Sequence, residues 1–515
     1  MIDFHLSSYN LFPYEVTLAQ MEIAALARRK TELAIGKIST PGFPRWDHLG
    51  SRATYCEFVT NRHRQITPIQ TQLERASSAR VKSRQRTRYS SHGLHEYKGK
   101  FNPQVVRAIG NIIGLRPGST VLDPFCGSGT VLVEAIHNGW DAYGADINPM
   151  AVEIATAKTG ALRMPASSLT STFRFVAEAL LPWRHLGASD RSIDRTTEQQ
   201  IGRTFCLRGN LRGDDYLSRW FPPSVLLQLE MIEHVIGRVG DTAIERIFRV
   251  LLSDHLRSVS QQDEADLRIR RRKQEITNAP LIARFIEAAG AKIGEIAAVE
   301  SVLKNEVKAK TGIGLLDARD SLRRVAGPVD AIITSPPYAM ALPYIDTQRL
   351  SLSALGLVSS DALARLEREL IGSRDITVRE RRGFEAQIDG NSTVLPDKPL
   401  RLCRRLLRGL DKNDGFRRRN LPSLLFRYFL DMQAFMTTAR SCLRTGGHLA
   451  LVVGKNETTI GGRRRTIDTP ELLAIIGESV GYSLVDILAL DAYQRFGLHA
   501  ANGIRAESLV LLRTS

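Results

Sequence analysis

Cysteine is scarce in this chain, five in 515 residues, and no Cys-x-x-Cys pair occurs. No His, Asp or Glu cluster stands at metal-ligand spacing, so no metal is expected. A disulfide-stapled secreted domain and a structural zinc module are set aside, and the thiols suit a reducing compartment. Apolar runs long enough to cross a bilayer are missing. Met1-Ile2-Asp3-Phe4-His5 lacks the basic-then-apolar pattern of a secretory leader. The expectation is a soluble, cytoplasmic protein without a membrane partner. Acid is the scarcer charge: 54 Asp and Glu face 71 Lys and Arg, a net +17. That surplus implies a polyanionic partner. No internal repeat is found. What is present is a 43% apolar fraction, ample for a packed core, in a length that suits a core with insertions or two to three domains.

The most informative stretch is Thr334-Ser335-Pro336-Pro337-Tyr338. It follows Val329-Asp330-Ala331-Ile332-Ile333, a short apolar run that reads as a buried strand. A strand ending this way builds a rigid turn that offers a hydroxyl acceptor, a carbonyl fixed by proline and an aromatic ring. That set suits an exocyclic amino group on a flat base. The ring stacks on the base, and the two oxygens accept from the amino hydrogens and aim the nitrogen lone pair. The plainer alternative is an ordinary Pro-Pro turn.

A second motif lies upstream. Val121-Leu122-Asp123-Pro124-Phe125-Cys126-Gly127-Ser128-Gly129-Thr130 reads as strand, glycine turn, then helix. The glycines let backbone approach a ligand closely. Only Gly127 and Gly129 fit the three-glycine dinucleotide fingerprint, and no Gly-Lys-Ser/Thr follows, so a pyrophosphate is not the first choice of ligand. Asp123 could bind an α-ammonium. Ala142-Tyr143-Gly144-Ala145-Asp146 is a second strand ending in an acid, where doubly wound folds take a ribose diol. An acid for an ammonium and an acid for a ribose fit S-adenosyl-L-methionine (AdoMet) better than NAD.

With these residues in view the chain resembles the amino-methyltransferases that modify cytosine N4 or adenine N6 in DNA. Asp123 to Thr130 resembles that family's AdoMet loop, and Thr334 to Tyr338 its catalytic motif. His95-Glu96-Tyr97-Lys98-Gly99-Lys100-Phe101-Asn102-Pro103 resembles the segment whose Phe-x-Pro packs against the methionine part of AdoMet. The resemblance implies an α/β, Rossmann-like AdoMet-dependent methyltransferase sheet with helical insertions. It implies a cofactor pocket of Phe101, Pro103, Asp123, Phe125, Gly127, Gly129, Thr130, Asp146 and Asp317. Asp317 would stand near the adenine amino group. Ser335, Pro336, Pro337 and Tyr338 would hold the target base. Ser in the first motif position leans toward cytosine N4, whereas Asp or Asn goes with adenine. C5 methylation needs a thiolate, and no cysteine here stands in a Pro-Cys context at a strand end. The implied partner is double-stranded DNA, with a restriction or defence-system partner left open. The alternatives are an adenine-N6 enzyme, an RNA enzyme of the guanine-N2 type, and a DNA-binding subunit that has lost catalysis.

The organisation expected is a helical preface and basic arm over 1–88, the AdoMet half over 89–164 and a helical insertion over 165–310. A catalytic half over 311–358, a charged insertion over 359–420 and the closing part of the sheet over 421–515 follow. The two insertions compete as target-recognition region. Three basic stretches are candidate phosphate contacts: Arg80 to Arg88, Arg268 to Lys273, and Arg401 to Arg419. Trp220 and Phe221 read as core or interface residues. Tyr344 and Asp346 are weaker site candidates, Asp389 to Lys398 reads as a mobile loop, and His92 and His95 read as loop histidines without partners.

Overall fold

The computed structural model describes residues 1–77, 85–188, 193–205, 207, 209–266, 268–303, 309–339, 344–390, 393–491 and 506–515. Its centre is a seven-stranded sheet. In chain order the strands are β1 (Thr120–Asp123), β2 (Asp141–Asp146), β3 (Thr311–Leu315), β4 (Val329–Thr334), β5 (Leu443–Gly454), β6 (Tyr482–Asp491) and β7 (Ala506–Thr514). In space they run β6-β7-β5-β4-β1-β2-β3. The first five strands are mutually parallel, and β7 lies antiparallel between β5 and β6. This is the Rossmann-like methyltransferase fold. The chain builds outward from β1 through β2 to β3, then returns to place β4 on the other side of β1. The carboxyl ends of β1 and β4 therefore meet where the winding reverses, the place where open α/β sheets bind ligands.

The sheet is buried on both faces because its strands are apolar at consecutive positions. Leu122, Ile332, Leu449, Leu451, Val510 and Leu512 point to one layer, built with the long helix Phe416–Cys442. Their neighbours Val121, Ala331, Ile333, Ala450, Val452, Leu509 and Leu511 point to the other.

That second layer holds the largest departure from the sequence reading. Residues 1–66 are not a helical preface. Five antiparallel strands, in the order Glu32–Ala34, Lys37–Thr40, Ile2–Leu6, Cys56–Thr60, Gln65–Ile66, form a separate sheet. Its helix Pro13–Ala27 packs on helix Pro103–Ile112. Phe4, Leu18, Ile23 and Tyr55 share one buried cluster with Val106, Ile109, Val121 and Trp140. Glu22, buried, accepts from Thr54 and from Asn111 Nδ2 at 2.6 Å, which fastens the two parts together.

The first insertion is helical as expected, with helices at Ala166–Leu180, Pro223–Ile236, Thr242–Leu256 and Leu281–Leu303 among others. It is not a separate body: Ile345, Leu350 and Leu352, from the helix Tyr344–Ala354 after the Pro-Pro-Tyr motif, belong to its core. Asp214 caps the helix Asp215–Trp220 by accepting from Tyr216 N and Leu217 N. Phe221 is buried and Trp220 half-buried, as read from sequence.

In the second insertion, Asp389 and Gly390 end one helix (Val378–Gly390), while Asp397 and Lys398 begin another (Asp397–Arg408). The expected loop is therefore shorter than Asp389 to Lys398. The long helix begins at Phe416 and carries Pro422 inside it, so Arg417, Arg418 and Arg419 lie in its first turn. A hairpin of Asn456–Ile460 and Arg463–Ile467 was not foreseen; Gly461 and Gly462 turn it with φ of 55° and 69°. No described helix is long and apolar enough to cross a membrane.

Candidate active site

Asp123 ends β1 and Thr334 ends β4, and the two side chains join: Thr334 Oγ1 donates to Asp123 Oδ1 at 2.6 Å in the buried interior. Phe125 N donates to the same oxygen at 3.1 Å. Among the described residues Oδ2 has no donor. Burial pushes the Asp123 carboxyl up to about 7, against the pull of those two hydrogen bonds. A buried acid with one oxygen unclaimed and no cation beside it is set up to receive one.

The loop after Asp123 has the glycines it needs. Gly129 has φ of 78° and caps helix Thr130–His137; a Cβ there would lie 2.9 Å from Ala155. Gly127, at φ 48°, faces the Tyr97 ring, 3.3 Å from where a Cβ would stand. Asp146, at the end of β2, accepts from Gly127 N and Asn148 N, each at 2.9 Å. It thus organises the loop. Burial raises its carboxyl to about 6 despite these amides. Thr130 is buried as the first residue of the helix.

Phe101 is half-buried against the second layer, and Pro103 opens helix Pro103–Ile112 behind the cap Asn102. Phe125 meets Phe435 edge-on with ring centroids 4.9 Å apart. Asp317 is differently placed from the others. Its carboxylate is clasped by Arg319, with Nη2 at 2.5 Å, and Arg319 reaches on to Asp431 at 2.8 Å. A role beside an adenine amino group would require that clasp to open.

The Ser-Pro-Pro-Tyr motif continues from β4. Ser335 is half-buried, and its Oγ donates to Val452 O at 3.0 Å. With its proton committed to a backbone carbonyl, the hydroxyl has only lone pairs to offer outward. Pro336 is buried, and Pro337 and Tyr338 are half-buried. Tyr338 OH donates to Glu507 Oε1 at 2.6 Å, which holds the ring from the β7 side. Residues 340–343 lie outside the described part, as do the Tyr344 side chain and residues His499 and Asn502. Asp346 pairs with Arg349 at 3.2 Å on its own helix. The four described free cysteines, Cys56, Cys126, Cys403 and Cys442, are buried, and burial raises each thiol. None is set up as a thiolate nucleophile.

Sequence reasoning missed the ties between halves. Asn148 Nδ2, at the turn after Asp146, donates to Gln348 Oε1 at 3.0 Å, on the helix after the motif. His95 Nε2 bonds Ser253 Oγ at 2.8 Å, and Ser253 Oγ reaches Ser351 Oγ at 3.3 Å. His95 therefore has a partner, and so does His92. His92, Glu134 and His137 converge in the interior with ligand atoms close enough for a metal. Glu134 Oε1 accepts from Tyr89 OH at 2.7 Å and from both imidazoles at 2.9 Å; Oε2 accepts from Arg107 Nε at 3.0 Å. Burial lowers both histidines toward neutral, while Arg107 and these bonds hold Glu134 well below its ordinary value. One carboxylate and one guanidinium close the charge, so the cluster is a structural hub. The Glu134-x-x-His137 spacing on one helix was the sequence signal for it.

The basic arm is also partly spoken for. Arg86 donates to Glu74 O and Ser77 O, and Arg88 pairs with Glu96 at 3.2 Å. Arg80, Lys82 and Arg84 lie outside the described residues. Arg271 pairs with Glu275 and lies over the Trp220 ring, and Arg272 donates to Gln262 O at 3.2 Å.

Residues 59–157 match a family model described as DNA methylase, N6_N4_Mtase. The match takes in the Asp123 loop and Asp146 and ends before β4. The Type II methyltransferase M.MvaI of Kocuria varians is 24% identical over 307 residues, which cover 56% of this chain and 63% of that protein. The Type II methyltransferase M.MjaII of Methanocaldococcus jannaschii is 40% identical over 230 residues, 36% of this chain and 43% of that protein. The chain is similar to the DNA amino-methyltransferase family. It spans less than two thirds of the length of either of these relatives. The chain is also similar to the tRNA (guanine(10)-N2)-dimethyltransferase of Methanothermobacter thermautotrophicus. That likeness is 42% identity over 57 residues, 11% of this chain and 17% of that protein.

Proposed function

We propose that the protein transfers a methyl group from AdoMet to the exocyclic amino nitrogen of a base flipped out of DNA, with cytosine N4 as the target. The observation that carries this reading is the Ser335 hydroxyl. Its proton is held by Val452 O, it follows directly on the residue bonded to Asp123, and it can act outward only as an acceptor.

The donor set fits AdoMet. Asp123 offers an unclaimed carboxylate oxygen to an α-ammonium, Asp146 an acid to the ribose, and Phe101 and Pro103 an apolar wall. Gly127, Gly129 and Thr130 keep the loop close. Asp317 would reach the adenine amino group after release from Arg319. AdoMet, when bound, supplies an electrophilic methyl carbon.

The remaining chemistry belongs to the protein. A stacked, paired base hides its amino group, so the nucleotide must leave the duplex. Tyr338, held by Glu507, stacks on it. Ser335 Oγ and the Pro336 carbonyl accept from the amino hydrogens, orient the lone pair and stabilise the developing positive charge. Alignment supplies much of the acceleration. The nitrogen would gain the methyl carbon as the carbon–sulfur bond of the sulfonium breaks and leaves its electron pair on a neutral thioether, and the nitrogen would afterward give up a proton to water. A neutral hydroxyl in the first motif position, rather than Asp or Asn, supports cytosine over adenine by the family resemblance. The short likeness to a tRNA guanine-N2 enzyme favours RNA as the second reading.

The test is nucleoside mass spectrometry on DNA and RNA from a methylation-free host expressing the protein, beside a Pro336→Ala control. N4-methylcytosine in DNA, absent from the control, is the expected result. N6-methyladenine keeps the mechanism and overturns the base. A new methylated base in RNA alone moves the enzyme to the second reading.

A further inference from the structure

The two sequence motifs meet through one side chain. Between β1 and β4 the register pairs Val121 with Ala331 and Leu122 with Ile332, and among the described residues no further pair follows. Beyond that point the strand ends are joined by the bond from Thr334 Oγ1 to Asp123 Oδ1, 2.6 Å long and spanning 211 positions of chain. Both residues are buried, Thr334 completely. A hydroxyl in that setting has no water to turn to and spends its proton on protein. The β-branch limits how Thr334 can rotate, so the backbone of β4 sets the direction in which the proton is given.

Acceptor and donor each stand at a working position. Asp123 is the acid with one oxygen unclaimed, and Thr334 immediately precedes Ser335. Of the influences on the Asp123 carboxyl, burial is the largest and raises it. The Thr334 hydroxyl comes next and lowers it, ahead of the Phe125 amide. Few titratable groups face Asp123. Asp146, at the end of β2, raises it by like charge. The Cys126 thiol, on the loop after β1, is kept protonated by burial. Among the described residues no cation contributes, and Thr334 is the one side chain that favours the ionised acid.

We infer that Thr334 is a positioning residue for AdoMet: it holds the Asp123 carboxylate by one oxygen, leaves the other for the ammonium, and so makes the strand that carries Ser335 part of the cofactor site. The inference rests on the proposed reading of Asp123 as the ammonium acid. In this role Thr334 acts only through Asp123. Cofactor capture then depends on the same strand end that presents the target-base acceptors, and the two motifs work as one unit.

The experiment is AdoMet affinity by titration calorimetry from about pH 6 to about pH 9. The full chain is compared with Thr334→Val, Thr334→Ser, Asp123→Asn and the double variant Asp123→Asn/Thr334→Val. Valine keeps the branch and loses the donor; serine keeps the donor. Removing a donor from a carboxylate disfavours its ionised form, which matters at low pH and ceases to matter once the acid is ionised in both proteins. Thr334→Val is therefore expected to bind about 10-fold more weakly at the acid end, near the lower worth of a hydrogen bond to a charged group. The deficit should close toward the alkaline end. The ligand's own ammonium titrates within this range, but alike for every protein, so the ratio of variant to parent is the quantity read. Thr334→Ser should follow the parent. In the Asp123→Asn background, Thr334→Val should add no pH-dependent deficit. A deficit of equal size at every pH, or a serine variant as weak as the valine one, overturns the inference and leaves Asp123 its role. An Asp123→Asn protein that binds AdoMet as the parent does at every pH overturns both.

Discussion

Two buried carboxylates sit in the same strand-turn-helix unit and are treated in opposite ways. Glu134 is finished: four polar groups bond it, Arg107 among them matches its charge, and its acidity is strengthened. Asp123 is unfinished: one threonine and one amide hold a single oxygen, and burial pushes it up to about 7. A fold tolerates an uncompensated buried acid where something else supplies the compensation, and such groups gather at functional sites. Under the proposed function the contrast separates a residue that builds the pocket from one that would use it, though both look alike in burial.

The strongest way to break the contrast is Glu134→Ala. It would strand Arg107, fully buried, without a counter-charge, at a cost of about 3–5 kcal/mol. Insoluble or low-melting protein is expected, and a melting temperature within a degree or two of the parent would show that the hub is dispensable. Asp123→Asn should do the reverse. The amide still accepts from Thr334 and Phe125, so the variant should melt no lower than the parent. Titration with AdoMet should show affinity reduced about 10- to 100-fold, the worth of one hydrogen bond to a charged group. Equal AdoMet affinity would remove the ammonium from Asp123.

The two acids also predict opposite responses to pH. Asp123 is raised from its ordinary 3.8, so the stability linked to it is present at low pH and fades as pH climbs to about 7. Glu134 is lowered, so its contribution is present above about 4.5 and fades as pH falls through its folded value. An ammonium ligand prefers the ionised form of Asp123. AdoMet affinity should therefore rise as pH climbs through 7, and Asp123→Asn should flatten that rise. The smallest change expected is Asp146→Ala. Losing the ribose acid and the Gly127 anchor should weaken AdoMet roughly 10-fold in the same titration, with methylation restored at high AdoMet. Failure to recover would place Asp146 in the transfer step itself.

What the sequence made legible was local. The apolar strands, the glycines at 127 and 129 and the Ser-Pro-Pro-Tyr turn each announce themselves within ten residues. What stayed hidden depends on distance. Thr334 reads as an ordinary strand residue until β4 is laid beside β1 and its hydroxyl meets Asp123. Glu134 reads as a helix surface residue until Tyr89, His92 and Arg107 arrive from other elements. Asp317 matches the family pattern, but nothing local reveals the Arg319 clasp. Two features were readable and passed over. Ile2, Phe4 and Leu6 alternate as a strand should, and Gly461-Gly462 between Ile460 and Arg463 is a hairpin turn. The helix start at Phe416 was obscured by Pro422, which ordinarily ends a helix rather than riding inside one.

The shared cluster beneath the N-terminal sheet bears on how this chain can be divided. A boundary at residue 88, natural on paper, would strip Phe4, Leu18, Ile23 and Tyr55 from the back of the methyltransferase sheet and orphan Asn111. The first seventy residues are thus no exchangeable module.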